Sequence, residues 1–220
     1  MKTKPISVVL LISLVLALAI GSVGAQGDVK TVKFGNLPYL DYAPWALAEE
    51  LGYLADEGIQ LDTAMFEVEQ PMVEALIGGS IQVGAGADTP FIILSAAAPE
   101  LRLVSVHSIF TGYSIMGRPD EVKTYEQFVD EGMSHDDALV AAAAQLDGKT
   151  IILPGGASFT PVLDTALQLA GLTRDNVEII DIDPSEGAAA FIQGTADFYS
   201  DGLPMRFRLE QEGMINVLTG

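Results

Sequence analysis

The chain has 220 residues, with 30 acidic against 11 basic side chains, a formal net charge of −19 and no cysteine. That balance argues against nucleic acid as a partner, because phosphate binding needs a basic face. The lack of thiols excludes disulfides, a cysteine nucleophile, thiolate zinc sites and iron–sulfur clusters, and the length allows one large domain or two small ones with a sizeable core.

Lys2 and Lys4 precede a nearly unbroken apolar run over residues 6–20, and Val23-Gly24-Ala25 follows with small side chains. This is the layout of a secretory signal peptide over residues 1–25, cleaved near Ala25. The run is short for a spanning helix, which needs about 20 apolar residues, and no Cys follows it to carry a lipid. The mature chain is therefore expected in the periplasm or outside the cell. Loss of Lys2 and Lys4 makes it more acidic still, which suits a highly solvated surface.

A first strand is expected over 31–35. A helix and turn follow in "APWALAEELGYLADEG", with Pro44 in the first turn and Gly58 where a left-handed residue is wanted. Then come a strand in "IQLDTAMFE", a helix over 70–77, a strand over 81–85, a helix from near Pro90, and a strand over 101–107 that ends at His107. Residues 113–148 read as a strand crossing between two halves (113–116), then a helical insertion around 125–129 and 136–146. The second half opens with a strand and Gly-rich exit in "KTIILPGG", then a helix over 159–170 with Pro161 in its first turn. A turn and strand follow in "LTRDNVEIIDI", with Asn176 where Gly58 stood. "DPSEGAAAFIQG" has a strong helix start, with Asp183 as cap, Pro184 first and Glu186 third. A strand over 196–200 and a helix after Pro204 close the chain. Short strands alternating with helices make this an α/β protein.

The two halves share one order of elements. Helices begin beside Pro44, Pro71 and Pro90 in the first, and beside Pro161, Pro184 and Pro204 in the second. "ALIGGSIQVGAGADTP" and "AFIQGTADFYSDGLP" have the same layout. Two lobes are expected, 26–112 and 149–220, with a cleft at the C-terminal ends of their strands, where parallel sheets bind ligands.

The candidate ligand residues lie in the loops at those ends. "NLPYLDYAP" supplies Asn36, Tyr39, Asp41 and Tyr42, whose aromatics offer flat apolar contact with a polar tip, although packing on the core explains the tyrosines equally well. Gln70 opens the next helix, beside the weaker candidate Glu69. In the second half, Gly156 allows close backbone approach, while Ser158, Phe159 and Thr160 lead into a helix N-terminus with unpaired N–H groups. Asp88 with Thr89, and Asp201 with Gly202, stand at matched strand mouths. They read either as helix caps or as carboxylates for a ligand amine, and nitrate would be disfavoured between them. His107 faces the cleft or serves structurally. His107 and His135 are the only histidines, His135-Asp136-Asp137 reads as a helix start, and no hydrolase, zincin or P-loop pattern occurs. No enzyme activity, cofactor or metal is expected.

These pieces together resemble a family. "VKFGNLPYLDYAPWALAEELGYLADEGIQLDTAMFEVEQPMVEALIGGSIQVGAGADTP" is similar to the first lobe of the extracytoplasmic solute-binding proteins of ABC transporters, in the nitrate, sulfonate, taurine and thiamine-precursor branch. "LDGKTIILPGGASFTPVLDTALQLAGLTRDNVEI" resembles the start of the second lobe. The resemblance implies a type II periplasmic-binding-protein fold, with two lobes, each a mostly parallel sheet flanked by helices. It also implies a monomer that hands a small organic or oxyanionic solute (sulfonate, nitrate, taurine-like or pyrimidine-like) to an ABC permease. Two alternatives are a sensing module for a membrane receptor and an enzyme similar to the thiamine-pyrimidine synthases; the latter use histidine and a Cys-rich stretch. Gln82 stands where the family motif has Asp, while Asp197 keeps it in the second lobe, and the crossing is longer than usual. The family pattern includes a long C-terminal return to the first lobe, so a chain ending at Gly220 is expected to be a fragment.

Overall fold

A computed structural model describes residues 28–96 and 98–219. The signal-peptide reading of residues 1–25 lies outside them. No helix among the described residues is long and apolar enough to cross a membrane.

The first sheet forms around β1 (Lys30–Asn36). It pairs in parallel with β2 (Ile59–Met65) along seven residues and with β3 (Val83–Gly84) along two, in the order β2-β1-β3. A 3₁₀ turn (Leu40–Tyr42), α1 (Ala43–Glu50) and the short α2 (Tyr53–Asp56) connect β1 to β2. Pro44 sits in the first turn of α1, where its missing N–H costs nothing. Gly58 turns the chain into β2 at φ 69°, a conformation a Cβ would penalise. α3 (Glu69–Ile77) and α4 (Asp88–Ser95) follow β2 and β3.

The strand expected over 101–107 does not form. Residues 101–113 have no regular secondary structure, and Leu103, Val104 and Val106 are 67%, 81% and 73% exposed. An apolar run resembles a buried strand, but a strand exists only where a neighbour takes its N–H and C=O groups. No described strand pairs with this segment.

The second sheet has the order β6-β5-β7-β4-β8. β4 (Ser114–Gly117) is the strand expected to cross between the halves. It lies inside this sheet, antiparallel to β7 (Phe198–Asp201) on one side and to β8 (Ile215–Thr219) on the other. β5 (Thr150–Ile152) runs parallel to β6 (Glu178–Ile180) and β7. Ile115, Ile151, Ile152, Phe198 and Tyr199 are fully buried between the helices on its faces. The insertion supplies α5 (Tyr125–Asp130) and α6 (His135–Ala144). Thr124 starts α5 through a capping box with Gln127, and the Ser134 hydroxyl caps α6.

α7 (Thr160–Leu169) buries Leu163, Ala166 and Leu167, the i, i+3, i+4 spacing of one helical face. α8 (Pro184–Ile192) and α9 (Met205–Gln211) complete the layer. Two details of the sequence reading need correction. Asp183 occupies the N-cap position of α8, but its side chain accepts no capping bond. Asn176 ends a 3₁₀ turn (Arg174–Asn176) with ordinary dihedrals; the left-handed position after α7 belongs to Gly171 at φ 70°, because only glycine takes that conformation without a Cβ clash.

Candidate functional site

Glu69 is the first residue of α3, and it is 1% exposed. Its carboxylate reaches from the first sheet's unit to the loop between β5 and α7. One oxygen accepts the Ser158 backbone N–H at 3.2 Å, and the other accepts the Tyr42 hydroxyl at 3.4 Å. Beside it the Gln70 N–H donates to the Gly156 carbonyl at 3.2 Å. Gly156 has φ +74°, and a Cβ there would stand 2.9 Å from Cβ of Gln70. The glycine is therefore what allows the two backbones to meet.

Aromatic rings close around this junction. Tyr39 lies edge-on to Tyr42 and to Phe159, with centroids 6.4 and 6.3 Å apart. Tyr113 packs on Phe110 at 4.9 Å and on Phe159 at 6.1 Å, and its hydroxyl is 2.9 Å from Ser158 Oγ. The result is a narrow crevice of about 10 Å³, lined by Tyr39, Asp41, Tyr42, Glu69, Phe110, Tyr113, Ser158, Phe159 and Gly202. As its walls stand, that is room for about one water molecule, so a solute enters only when they part. A wider opening adjoins it, with Asp41 and Phe110 shared and Leu203, Arg206 and Glu210 on its wall.

The cleft is electrostatically unusual. Burial raises the proton affinity of Glu69 and of Asp41, since a desolvated carboxylate is costly. Hydrogen bonds from Ser158 oppose the rise at Glu69. Burial also raises Tyr39, Tyr42 and Tyr113, so these phenols remain neutral. Asp201, at the end of β7 beside the lining residue Gly202, is 1% exposed. Burial lifts it to about 7, against hydrogen bonds from Tyr199 and Gly202 that lower it, with the Glu69 charge adding to the rise. The Tyr199 hydroxyl lies against the Asp201 carboxyl and also 3.0 Å from the Pro184 carbonyl. One phenolic proton cannot serve two acceptors. Tyr199 donates to the ionised Asp201; once Asp201 is protonated it can donate to Tyr199 instead, whose own proton then goes to Pro184.

The structure brings Tyr39, Asp41, Tyr42, Ser158 and Phe159 into the cleft lining, with Gln70 and Gly156 bonded beside it. The other expected residues lie elsewhere. Asn36 ends β1 half-buried, with a buried amide oxygen that has no partner. Asp88 is exposed in the first turn of α4 and accepts the Thr89 hydroxyl at 3.3 Å; Ala87 holds the N-cap position, so Asp88 is not the cap. Thr160 opens α7 outside the lining. His107 supports the Tyr39–Tyr42 loop from outside, its Nε2 being 2.9 Å from the Asp41 carbonyl and its ring against Tyr42 and Trp45. Reading the sequence passed over Phe110 and Tyr113 and ranked Glu69 low. Two aromatics flanking Thr111-Gly112 at the crossing, and an acid opening the Pro71 helix, were the available signals.

Comparison with known proteins places this architecture. A protein of Brucella abortus (strain 2308) named as a binding protein is 30% identical over 152 residues, covering 69% of this chain and 41% of its own length. One from Escherichia coli (strain K12), named for binding aliphatic sulfonates, is 28% identical over 153 residues, 70% of this chain and 43% of its own. The chain thus spans less than half the length of these relatives. The alkanesulfonate-binding protein of Xanthomonas axonopodis pv. citri, solved bound to MOPS, superposes with a TM-score of 0.70 at 20% identity, over 88% of this chain and 62% of that one. That likeness establishes the two-lobed periplasmic-binding-protein fold, which is the fold expected from the sequence. The NMT1-like family model matches residues 25–219, nearly the whole described chain, and this protein belongs to that family.

Proposed function

We propose that this is an exported solute-binding protein, which closes its lobes over a small solute and presents it to an ABC permease. The carrying observation is the junction at Glu69, where α3 of one sheet's unit hydrogen-bonds the Gly-rich loop of the other across a small aromatic cleft. A lobe-to-lobe contact of this kind can break and re-form as the unit opens, with the bend at residues 111–113, where the chain passes between the sheets before β4. We read it as a carrier rather than an enzyme because its relatives are named as binding proteins, and as a monomer. Signal-directed export follows from the leader read in residues 1–25.

The test is a thermal-shift and calorimetric screen of the mature protein over sulfonates, nitrate, amino acids, polyamines and pyrimidines. A solute that binds only the folded state raises the melting temperature with concentration. At least one class is expected to do so. A flat response across the whole panel would overturn the carrier reading.

A further inference from the structure

The cleft reading leaves open what charge the solute carries, and the lining residues address that directly. Asp41 and Glu69 both border the space, and among the described residues no Lys or Arg does. Glu69 is buried, and its hydrogen bonds come from two neutral donors, the Ser158 N–H and the Tyr42 hydroxyl. Buried carboxylates are ordinarily matched by a cation, and none of the ion pairs among the described residues includes Glu69. Arg206 stands on the wall of the adjoining opening, but its guanidinium already pairs with Glu210 at 3.0 Å.

A second observation points the same way. Tyr39 lines the cleft at 9% exposure, and its hydroxyl oxygen is buried without any hydrogen-bond partner. A buried orphan hydroxyl is costly unless a ligand completes it, and its oxygen can accept an N–H. The rings of Tyr39, Tyr42, Phe110 and Tyr113 border the same space, and aromatic faces attract a positive nitrogen. A sulfonate or nitrate in the same place would face two carboxylates with no positive partner.

Resting on the cleft as the solute site, we propose that its solute is a small organic cation, an amine in its ammonium form or a quaternary ammonium. The Asp41 and Glu69 carboxylates supply the counter-charge, and the tyrosine rings supply the walls. This separates the chain from the relatives named for sulfonates, although the fold is shared.

Calorimetry on the mature protein with charge-matched probes tests it: butylammonium and choline against butane-1-sulfonate and 1-butanol. One or both ammonium probes are expected to bind, with the sulfonate at least tenfold weaker. Glu69→Gln, nearly isosteric, should weaken the ammonium probe tenfold or more, and Asp41→Asn, at a half-exposed position, should weaken it several-fold. Circular dichroism and melting temperature confirm that both variants fold, and if Glu69→Gln does not, Asp41→Asn and Tyr39→Phe carry the test. Binding of the sulfonate or alcohol in preference would overturn the cation while leaving the carrier function intact. So would an ammonium affinity unchanged in the folded variants. Binding of neither ammonium probe also overturns it, and the broader screen then decides the carrier reading separately.

Discussion

Replacing Asp201 by Asn should stabilise this protein above neutral pH and do progressively less at lower pH. Asp201 has an ordinary value of 3.8 and is held at about 7 in the fold. The folded state therefore keeps a proton that the unfolded chain has already released, and stability falls as pH rises between those values. The contribution is fully present below about pH 4 and lost by pH 7. Each pH unit across that interval costs about 1.4 kcal/mol, so between pH 5 and pH 8 the wild type loses about 3 kcal/mol through this one group. At 1% exposure, solvent screens little of that. Asparagine reproduces the protonated pattern: its oxygen accepts the Gly202 N–H, its amide donates to Tyr199, and Tyr199 still donates to Pro184. Glu69 also titrates upward, but it does so in both proteins and largely cancels in the comparison. Urea unfolding of wild type and Asp201→Asn at pH 5, 6 and 8, with equal m-values, measures the difference. Parallel stability–pH curves for the two proteins would refute a buried, protonated Asp201.

Gly156→Ala should cost about 1–2 kcal/mol from the left-handed backbone, and its Cβ should press on Gln70; solute affinity measured by calorimetry is expected to fall more than the melting temperature implies. Leu163→Ala, at a fully buried position on α7, should destabilise by about 3 kcal/mol in chemical denaturation, as a cavity in a packed core does. Arg118 donates to the Ala196 and Phe191 carbonyls and lies 4.7 Å over the Phe191 ring. Arg118→Ala should therefore cost about 2–3 kcal/mol, and Arg118→Lys should recover less than half of it, since an ammonium lacks the planar fork.

The α/β class, the order of elements and the prolines opening α1, α7 and α8 were legible in the chain, because local periodicity and first-turn chemistry depend on near neighbours in sequence. So was the set of loops that meet at the cleft: Tyr39, Asp41, Tyr42, Ser158 and Phe159 all came from the ends of strands. Pairing was not legible. Residues 101–107 have a strand's composition without a strand's partner, and the crossing strand β4 belongs wholly to the second sheet, since hydrogen-bond partners are settled by chain segments far apart in sequence. The matched carboxylates Asp88 and Asp201 show the same limit. Sequence symmetry equated them, but burial separated them, leaving one exposed on α4 and the other enclosed against Tyr199. Glu69 is the clearest case. Its place at the start of the Pro71 helix marks it only weakly among 30 acidic residues, and only the approach of the Gly156–Ser158 loop, across the gap between two sheets, buries its carboxylate.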